Sequence, residues 1–513
     1  MLKTKLVLAL VLALLVAFGV VGIAIAAVPT DTSALRNAVT VDGIMEHERA
    51  FQDIADANGG TRVSGTPGYD ASAAYVEGKL RAAGFEVERQ AFDYPFFQEL
   101  TPTTFSQTAP SPKLYEEGTD FNLMGYSGSG NLVDAQVVPT NDIQIPPGST
   151  ANSSNSGCEA TDFPPASATE PQVALIQRGG CLFRPKALNA QAAGYDAAII
   201  FNEGQPGRTE VIGGGLGGLG VDIPVLMTSF AVGQELYEAS PGARVSISAD
   251  TLAEERTTSN VIADYPGGRT DRTLIVGAHL DSVPVGPGIN DNGSGTAGIL
   301  EIALQMKKLG IKPTNHVRFA FWGAEESGPP QWGSQHYVSH LDAAGRKDIA
   351  LYLNFDMIGS PNYVRFVYDG DGPTLLGAPA PNGSGTIEKV FLNYFASQNL
   401  ATEPTPFDGR SDYQPFFDAG IPAGGAISGA DGIKTEEQAA IYGGTAGVPY
   451  DACYHQACDD IDNLNEESID QLADGAAHAT LTFAQTTSAV KGTDKASNTA
   501  ASKIEYQGPV AVK

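Results

Sequence analysis

The stretch Gly277-Ala278-His279-Leu280-Asp281-Ser282-Val283, followed by Gly288-Ile289-Asn290-Asp291-Asn292-Gly293-Ser294-Gly295, decides the fold. Before it lies the apolar run Thr273 to Val276, which reads as a buried strand bounded by turn residues. After it, Thr296 to Leu309 carries an apolar helical period. The spacing therefore puts His279 and Asp281 at the carboxyl end of a strand, and Asp291 in the loop before a helix. Open α/β sheets place their ligand sites at that edge. In His279-x-Asp281 a carboxylate lies close to an imidazole, as in sites where it orients a metal-binding histidine. Read alone, His279 fits a satisfied structural histidine equally well.

Three further segments change that balance. Val317 to Trp322 is a second strand candidate, ending in Gly323-Ala324-Glu325-Glu326-Ser327-Gly328. Ile349 to Phe355 is a third, ending in Asp356-Met357-Ile358-Gly359. His455 stands in Tyr450-Asp451-Ala452-Cys453-Tyr454-His455-Gln456-Ala457-Cys458. Two imidazoles and three carboxylates suit two borderline or hard divalent cations with nitrogen and oxygen ligands. Adjacent glutamates can face different ways, so one can bind metal while its neighbour handles a proton. Treating every one of these as a bland loop residue requires four coincidences.

The chain of 513 residues is too long for one compact core, so two domains or a large insertion are expected. Its formal charge of -28, from 59 acidic against 31 basic residues, argues against nucleic acid or anionic membrane as partner. Lys3 and Lys5 precede an apolar run from Leu6 to Val28 with a small-x-small site at Ala24-Ile25-Ala26, which reads as a signal peptide over 1–26. The run is long enough to span a bilayer, so an uncleaved anchor is the alternative. Four cysteines in an exported chain imply two disulfides with three possible pairings. The local pairs Cys158–Cys181 and Cys453–Cys458 are expected. The five-residue separation of the second closes little chain entropy, and fixing local geometry is its better use.

Along the chain, Thr30 to Asn37 reads as a short exposed lead-in. Val41 to Ala57 and Ala71 to Ala83 read as helices around the breaker loop Arg62 to Gly68, and Phe85 to Tyr94 as a strand. From about Leu100, Pro, Ser, Thr and Gly punctuate short β-like runs. Val173 to Gln177 and Ala197 to Phe201 are strands there, with a helical pattern from Pro185 to Ala193 between them, and Ile223 to Met227 is a further strand. The α/β pattern resumes at Thr258, with helices at Ile387 to Ser397 and Ile469 to Gln485. The Ala-, Ser- and Thr-rich tail reads as a linker or disordered end.

Ala174 to Phe183, Lys186 to Gly194 and Ile223-Pro224-Val225-Leu226 resemble the protease-associated domain. That resemblance implies a small β-rich insert that covers or frames a peptidase cleft. His279-x-Asp281, Asp291-Asn292, Glu325-Glu326, Asp356 and Tyr454-His455 in combination resemble the secreted di-zinc aminopeptidases, over roughly residues 40 to 487. The implied fold is α/β, a mixed, mostly parallel sheet flanked by helices. Its peptidase segments would be 35–100 and 255–487, around an insert at 101–254, with a flexible tail at 488–513. The resemblance further implies two Zn2+ per chain. Asp291 would bridge them, His279 and Asp356 would complete one, and Glu326 and His455 the other. Glu325 would be the general base, Asp281 the orienter of His279 and Tyr454 an oxyanion stabiliser. A cis peptide between Asp291 and Asn292 is implied too. Phe407 to Tyr413 matches a segment near the substrate end of the cleft, which places Arg410 there.

One departure is the longer run Ser327-Gly328-Pro329-Pro330-Gln331 after the glutamates; His336 beyond it is expected to be structural or exposed. The implied reaction is hydrolysis of the N-terminal residue from peptides and proteins by a secreted monomer. Its rivals are a di-zinc carboxypeptidase, a one-zinc glutaminyl cyclase and a non-enzymatic binding protein on the same scaffold. The presence of all five ligand candidates and the base argues against the last.

Overall fold

Leu274, Ile275 and Val276 are fully buried, because the strand Arg269–His279 has both faces of its sheet covered. It pairs in parallel with Asn315–Trp322 on one side and with Ile349–Phe355 on the other. Ile349–Phe355 pairs in parallel with Ala423–Ile427. Parallel strands all end at the same edge, so His279, the loop after Trp322 and the loop after Phe355 emerge together. The antiparallel partners Arg244–Asp264 and Phe366–Tyr368 flank this group, and Glu403–Thr405 forms the rim. The computed structural model describes residues 30–372, 379–488 and 490. The leader expected at 1–26 and nearly all of the tail expected at 488–513 lie outside them. Among the described residues no helix is long and apolar enough to cross a membrane.

Helices Val41–Ala57, Gly295–Lys308 and Glu466–Gln485 contribute Phe51, Leu300, Leu472 and Phe483 to the core that also holds Leu274, Val317, Phe319 and Leu353. Thr40 caps the first of these helices, accepting the N–H of Gly43 at 3.2 Å. The lead-in differs from its expectation. Ser33–Arg36 is a short helix that buries Leu35, and Arg36 pairs with Asp474 at 3.3 Å. One leucine in a short polar stretch has no period to reveal it.

The insert is reached along two long strands. Glu86–Ala109 and Arg244–Asp264 pair antiparallel over most of their length, with register shifts near Glu99, Thr101 and Gln107. The sheet then continues through Gly130–Pro139, Gln172–Gln177, Ala197–Phe201, Val225–Thr228 and Phe121–Leu123. The first of these strands therefore runs well past Tyr94. Its Thr- and Gln-rich outer half lacks an apolar alternation, and the backbone ladder to the partner strand supplies the pairing. A separate core of Val173, Leu175, Ile199, Phe201, Leu226 and Val245 fills the insert. Both expected disulfides are present, Cys158–Cys181 and Cys453–Cys458.

Candidate metal centre

The site is assembled by close approach of the loops at one sheet edge. A Cβ on Gly295 would stand 2.3 Å from the carbonyl oxygen of Phe355, so only glycine lets the loop carrying Asp291 reach the strand end carrying Asp356. Asn292 ties the two together: its amide donates to Phe355 O at 3.0 Å and its carbonyl accepts from Met357 N–H at 3.1 Å. The Asp291–Asn292 peptide is cis. Thr296, on the following helix, donates to the carbonyl of His279 at 2.6 Å.

Asp291 then presents one oxygen to each of two groups. Its Oδ1 lies 3.2 Å from His279 Nε2, which lies 3.3 Å from Asp356 Oδ1. Its Oδ2 lies 3.2 Å from His455 Nε2, which lies 3.0 Å from Glu326 Oε2. In both triads the donor atoms fall within 4.8 Å of one another, and Glu325 lies within the same reach of His279 and Glu326. All five residues named as ligands and the glutamate named as base thus come to one place.

The charges do not balance from within. Burial opposes a charged imidazole at His279, yet Asp356 and Glu325 outweigh it and hold its pKa well above the ordinary value. Burial likewise opposes charge on His455, but Glu326 and Asp291 push it up to about 11. Burial raises Glu325 well above the carboxylate range, and burial with Asp291 raises Glu326 to about 7. Asp291 goes the other way: against burial, the two imidazoles hold it far below its usual value. Asp356 Oδ1 and Glu326 Oε1 are buried without a hydrogen-bond partner. A buried carboxylate oxygen left so is costly. Unpartnered oxygens facing imidazole nitrogens, with no thiolate among them, fit divalent cations of the zinc type.

The supporting residues include several that the sequence did not single out. Asp459 accepts the N–H groups of Asn290 and Asp291 at 2.8 and 2.9 Å. Asp451 accepts from the Asn290 side chain at 2.6 Å and from Cys453 N–H at 2.8 Å. Ser411 donates to Asp356 Oδ2 at 2.6 Å and accepts from Asn354 at 2.8 Å. Their adjacency to the cysteine pair and to Arg410 was the available signal, but their partners are distant in sequence. Asp281 is placed with a difference. Its backbone oxygen is 3.2 Å from His279 Nδ1, and its carboxylate is 3.7 Å away. That carboxylate accepts instead from the N–H groups of Glu325 and Glu326, at 3.3 and 3.4 Å.

Arg410 pairs with Asp431 at 2.9 Å and donates to the Tyr454 hydroxyl at 3.1 Å, while the Tyr454 ring stacks on His455 at 3.8 Å. The cluster opens into a cavity of about 170 Å³, whose other wall carries Met357, Phe366, Tyr368, Ile427 and Tyr450. His336 stands apart, stacked on Phe92 at 5.1 Å.

The sequence profile of peptidase family M28 matches residues 260–480, and that of the PA domain residues 133–236. An aminopeptidase of Pseudomonas aeruginosa is 42% identical over 448 residues, 87% of this chain and 81% of the relative. A probable lipoprotein aminopeptidase of Mycobacterium tuberculosis is 40% identical, over 88% of this chain and 86% of that protein. The aminopeptidase from Aneurinibacillus sp. strain AM-1 shares the fold, with a TM-score of 0.65 at 23% identity over 88% of this chain and 95% of that one. The chain belongs to peptidase family M28, with a PA domain inserted ahead of the metal-binding segment. Within that family it is an aminopeptidase.

Proposed function

We propose that the protein is a secreted di-zinc aminopeptidase, monomeric once its leader is removed, that takes single residues from the free N-terminus of peptides and proteins. The observation that supports this most is Asp291, whose two oxygens face two separate triads. His279 and Asp356 would hold one zinc, Glu326 and His455 the other, with Asp291 between them. When bound, the pair supplies Lewis-acid activation of water and of the scissile carbonyl at neutral pH.

The chain's own residues do the rest. Glu325 accepts the proton of the attacking water and hands it to the leaving nitrogen. Burial raises its pKa, which suits it to both halves of that transfer. Asp281 fixes the turn that brings Glu325 and Glu326 into the site by accepting their backbone N–H groups. Tyr454, its hydroxyl held by Arg410, donates to the tetrahedral oxyanion. The apolar wall from Met357 to Tyr450 takes the side chain of the residue being removed.

The decisive experiment incubates the mature protein with a peptide of mixed sequence and reads product masses, with and without a zinc chelator. A ladder shortened from the N-terminus, abolished by chelator and restored by zinc, is expected. A ladder from the C-terminus would replace this reading with a carboxypeptidase, and a mass change of cyclisation alone with a glutaminyl cyclase.

A further inference from the structure

The breaker loop that begins at Arg62 comes from the first peptidase segment, on the far side of the insert in sequence, yet Arg62 is completely buried beneath the metal centre. Its guanidinium donates to three backbone carbonyls of one loop: Leu280 O, Pro287 O at 2.8 Å and Gly288 O at 2.5 Å. Its own N–H donates to Ser282 Oγ at 2.9 Å. These partners lie in the segment joining His279 to Asp291. Each of the three side-chain nitrogens thus donates to a carbonyl of the metal-bearing loop rather than to a carboxylate. Two residues on, Ser64 Oγ accepts the N–H of Ala324 at 2.7 Å, next to Glu325, and Tyr94 in turn donates to Ser64 O at 2.6 Å.

The surroundings are those of a built support. The guanidinium sits 5.1 Å from the centroid of Phe51. Glu48, fully buried on the same helix, keeps both oxygens without a hydrogen-bond partner and lies beneath Gly293, where a Cβ would come within 2.7 Å of it. Burial draws the Arg62 pKa down while Glu48, Asp281, Asp459 and Asp291 draw it up. A buried cation is costly unless charge and hydrogen bonds compensate it. Here three carbonyls supply the bonds, and Glu48 together with Asp281, Asp459 and Asp291 supplies the charge.

We propose that Arg62 is a positioning residue for the di-zinc centre, a single three-pronged tie that fixes the separation of the His279 and Asp291 arms. The proposal rests on the di-zinc reading for its consequence, but the tie itself can be tested without metal. A planar guanidinium reaches three carbonyls of one loop at once; an ammonium is a point charge without that fork. Deleting the tie therefore loosens the loop before any metal is bound.

The test compares wild type, Arg62→Lys and Arg62→Met. Hydrogen exchange is followed in the metal-free full chain, and zinc affinity is measured by competition with a chelator. In Arg62→Met, exchange over residues 280–291 is expected to rise at least about 10-fold, with the insert and the helix Glu466–Gln485 unchanged, and zinc affinity to fall about 10- to 100-fold. Arg62→Lys is expected to lie between. Unchanged loop exchange and zinc affinity in Arg62→Met would overturn the proposal. So would a rise spread evenly over the whole peptidase core, which marks general core support. If Arg62→Met does not fold, Arg62→Lys decides on the same two readouts. Wild type that binds no zinc would overturn the proposed function, and the exchange comparison would still decide whether Arg62 ties the loop.

Discussion

Two clusters of buried charge, one at the strand ends and one in the insert, are built on opposite terms. In the insert, Glu203 accepts from the N–H groups of Asn152 and Ser153 at 2.7 and 2.8 Å and pairs with Arg208 at 3.1 Å. Lys186 donates to Ser156 O and to Gln177 O, and Arg178 donates to Asn202 at 3.0 Å. At the strand ends, by contrast, carboxylates face imidazoles and one another, and Asp356 Oδ1 and Glu326 Oε1 accept no hydrogen bond. A buried charge whose bonds are complete holds architecture together. One left incomplete, beside a cavity and others like it, is prepared for a cation.

The largest effect that can break this comparison comes from two substitutions in one centre. Glu325→Gln is expected to lower turnover by at least about 100-fold with the zinc content unchanged, as loss of a proton carrier requires. Asp291→Asn is expected to empty at least one position, since each triad uses one of its oxygens and an amide keeps only one. Metal analysis beside peptide hydrolysis checks both. Substantial activity in Glu325→Gln, or full zinc in Asp291→Asn, would contradict the assignments.

The two disulfides provide a smaller, crossed contrast. Cys158–Cys181 closes 23 residues in the insert, and Cys453–Cys458 closes 5 around His455. Loop entropy assigns roughly 3 kcal/mol to the first and roughly 2 kcal/mol to the second. Replacing the insert pair by serines is expected to cost more melting temperature and to leave kcat/KM within about twofold. Replacing the other pair is expected to cost less stability and to weaken metal retention about 10-fold or more, because it frees His455. Thermal melts and zinc retention on the same samples would show whether the two losses cross.

The smallest effect is a pH dependence confined to the insert. Burial brings Lys186 down to about 8 from an ordinary value of 10.5. Between those values the unfolded chain binds more protons than the folded one, so this group's contribution to stability rises with pH across that window. Below about 8 both states are protonated and the penalty is complete. Lys186→Met should abolish that rise, measurable as the pH dependence of denaturant midpoints; an identical slope in both proteins would show that Lys186 carries none of it.

Much of the strand-end centre was legible because three of its segments share one local setting, an apolar strand with polar residues at its carboxyl end: His279, Glu325-Glu326 and Asp356. Ile349–Phe355 and Val41–Ala57 have the bounds their apolar periods indicate. The outer half of Glu86–Ala109 was not legible, because a ladder of backbone bonds leaves little trace in side-chain pattern. Leu35 was missed for want of a period, and Asp451, Asp459 and Ser411 because the groups of the site they hold lie far away in sequence. Asp281 was legible as a residue of the site but not in its contacts, which reach mainly to the backbone of the next strand end.

By itself, the sequence determined the three central strands that end at His279, Trp322 and Phe355, the polar residues that follow them, the leader-like N-terminus, the family resemblance and the chemical kinds of the ligands. Hydrophobic period and residue type are local quantities and can be read one segment at a time. Only the tertiary structure decided that Asp291 turns one oxygen to each triad, that Asp281 braces the glutamates, and that Arg62 lies beneath the loop it supports. Those facts depend on parallel strands sharing an edge and on loops meeting within hydrogen-bond distance. Distances of that size between separate segments of the chain are set by packing, which no single segment encodes.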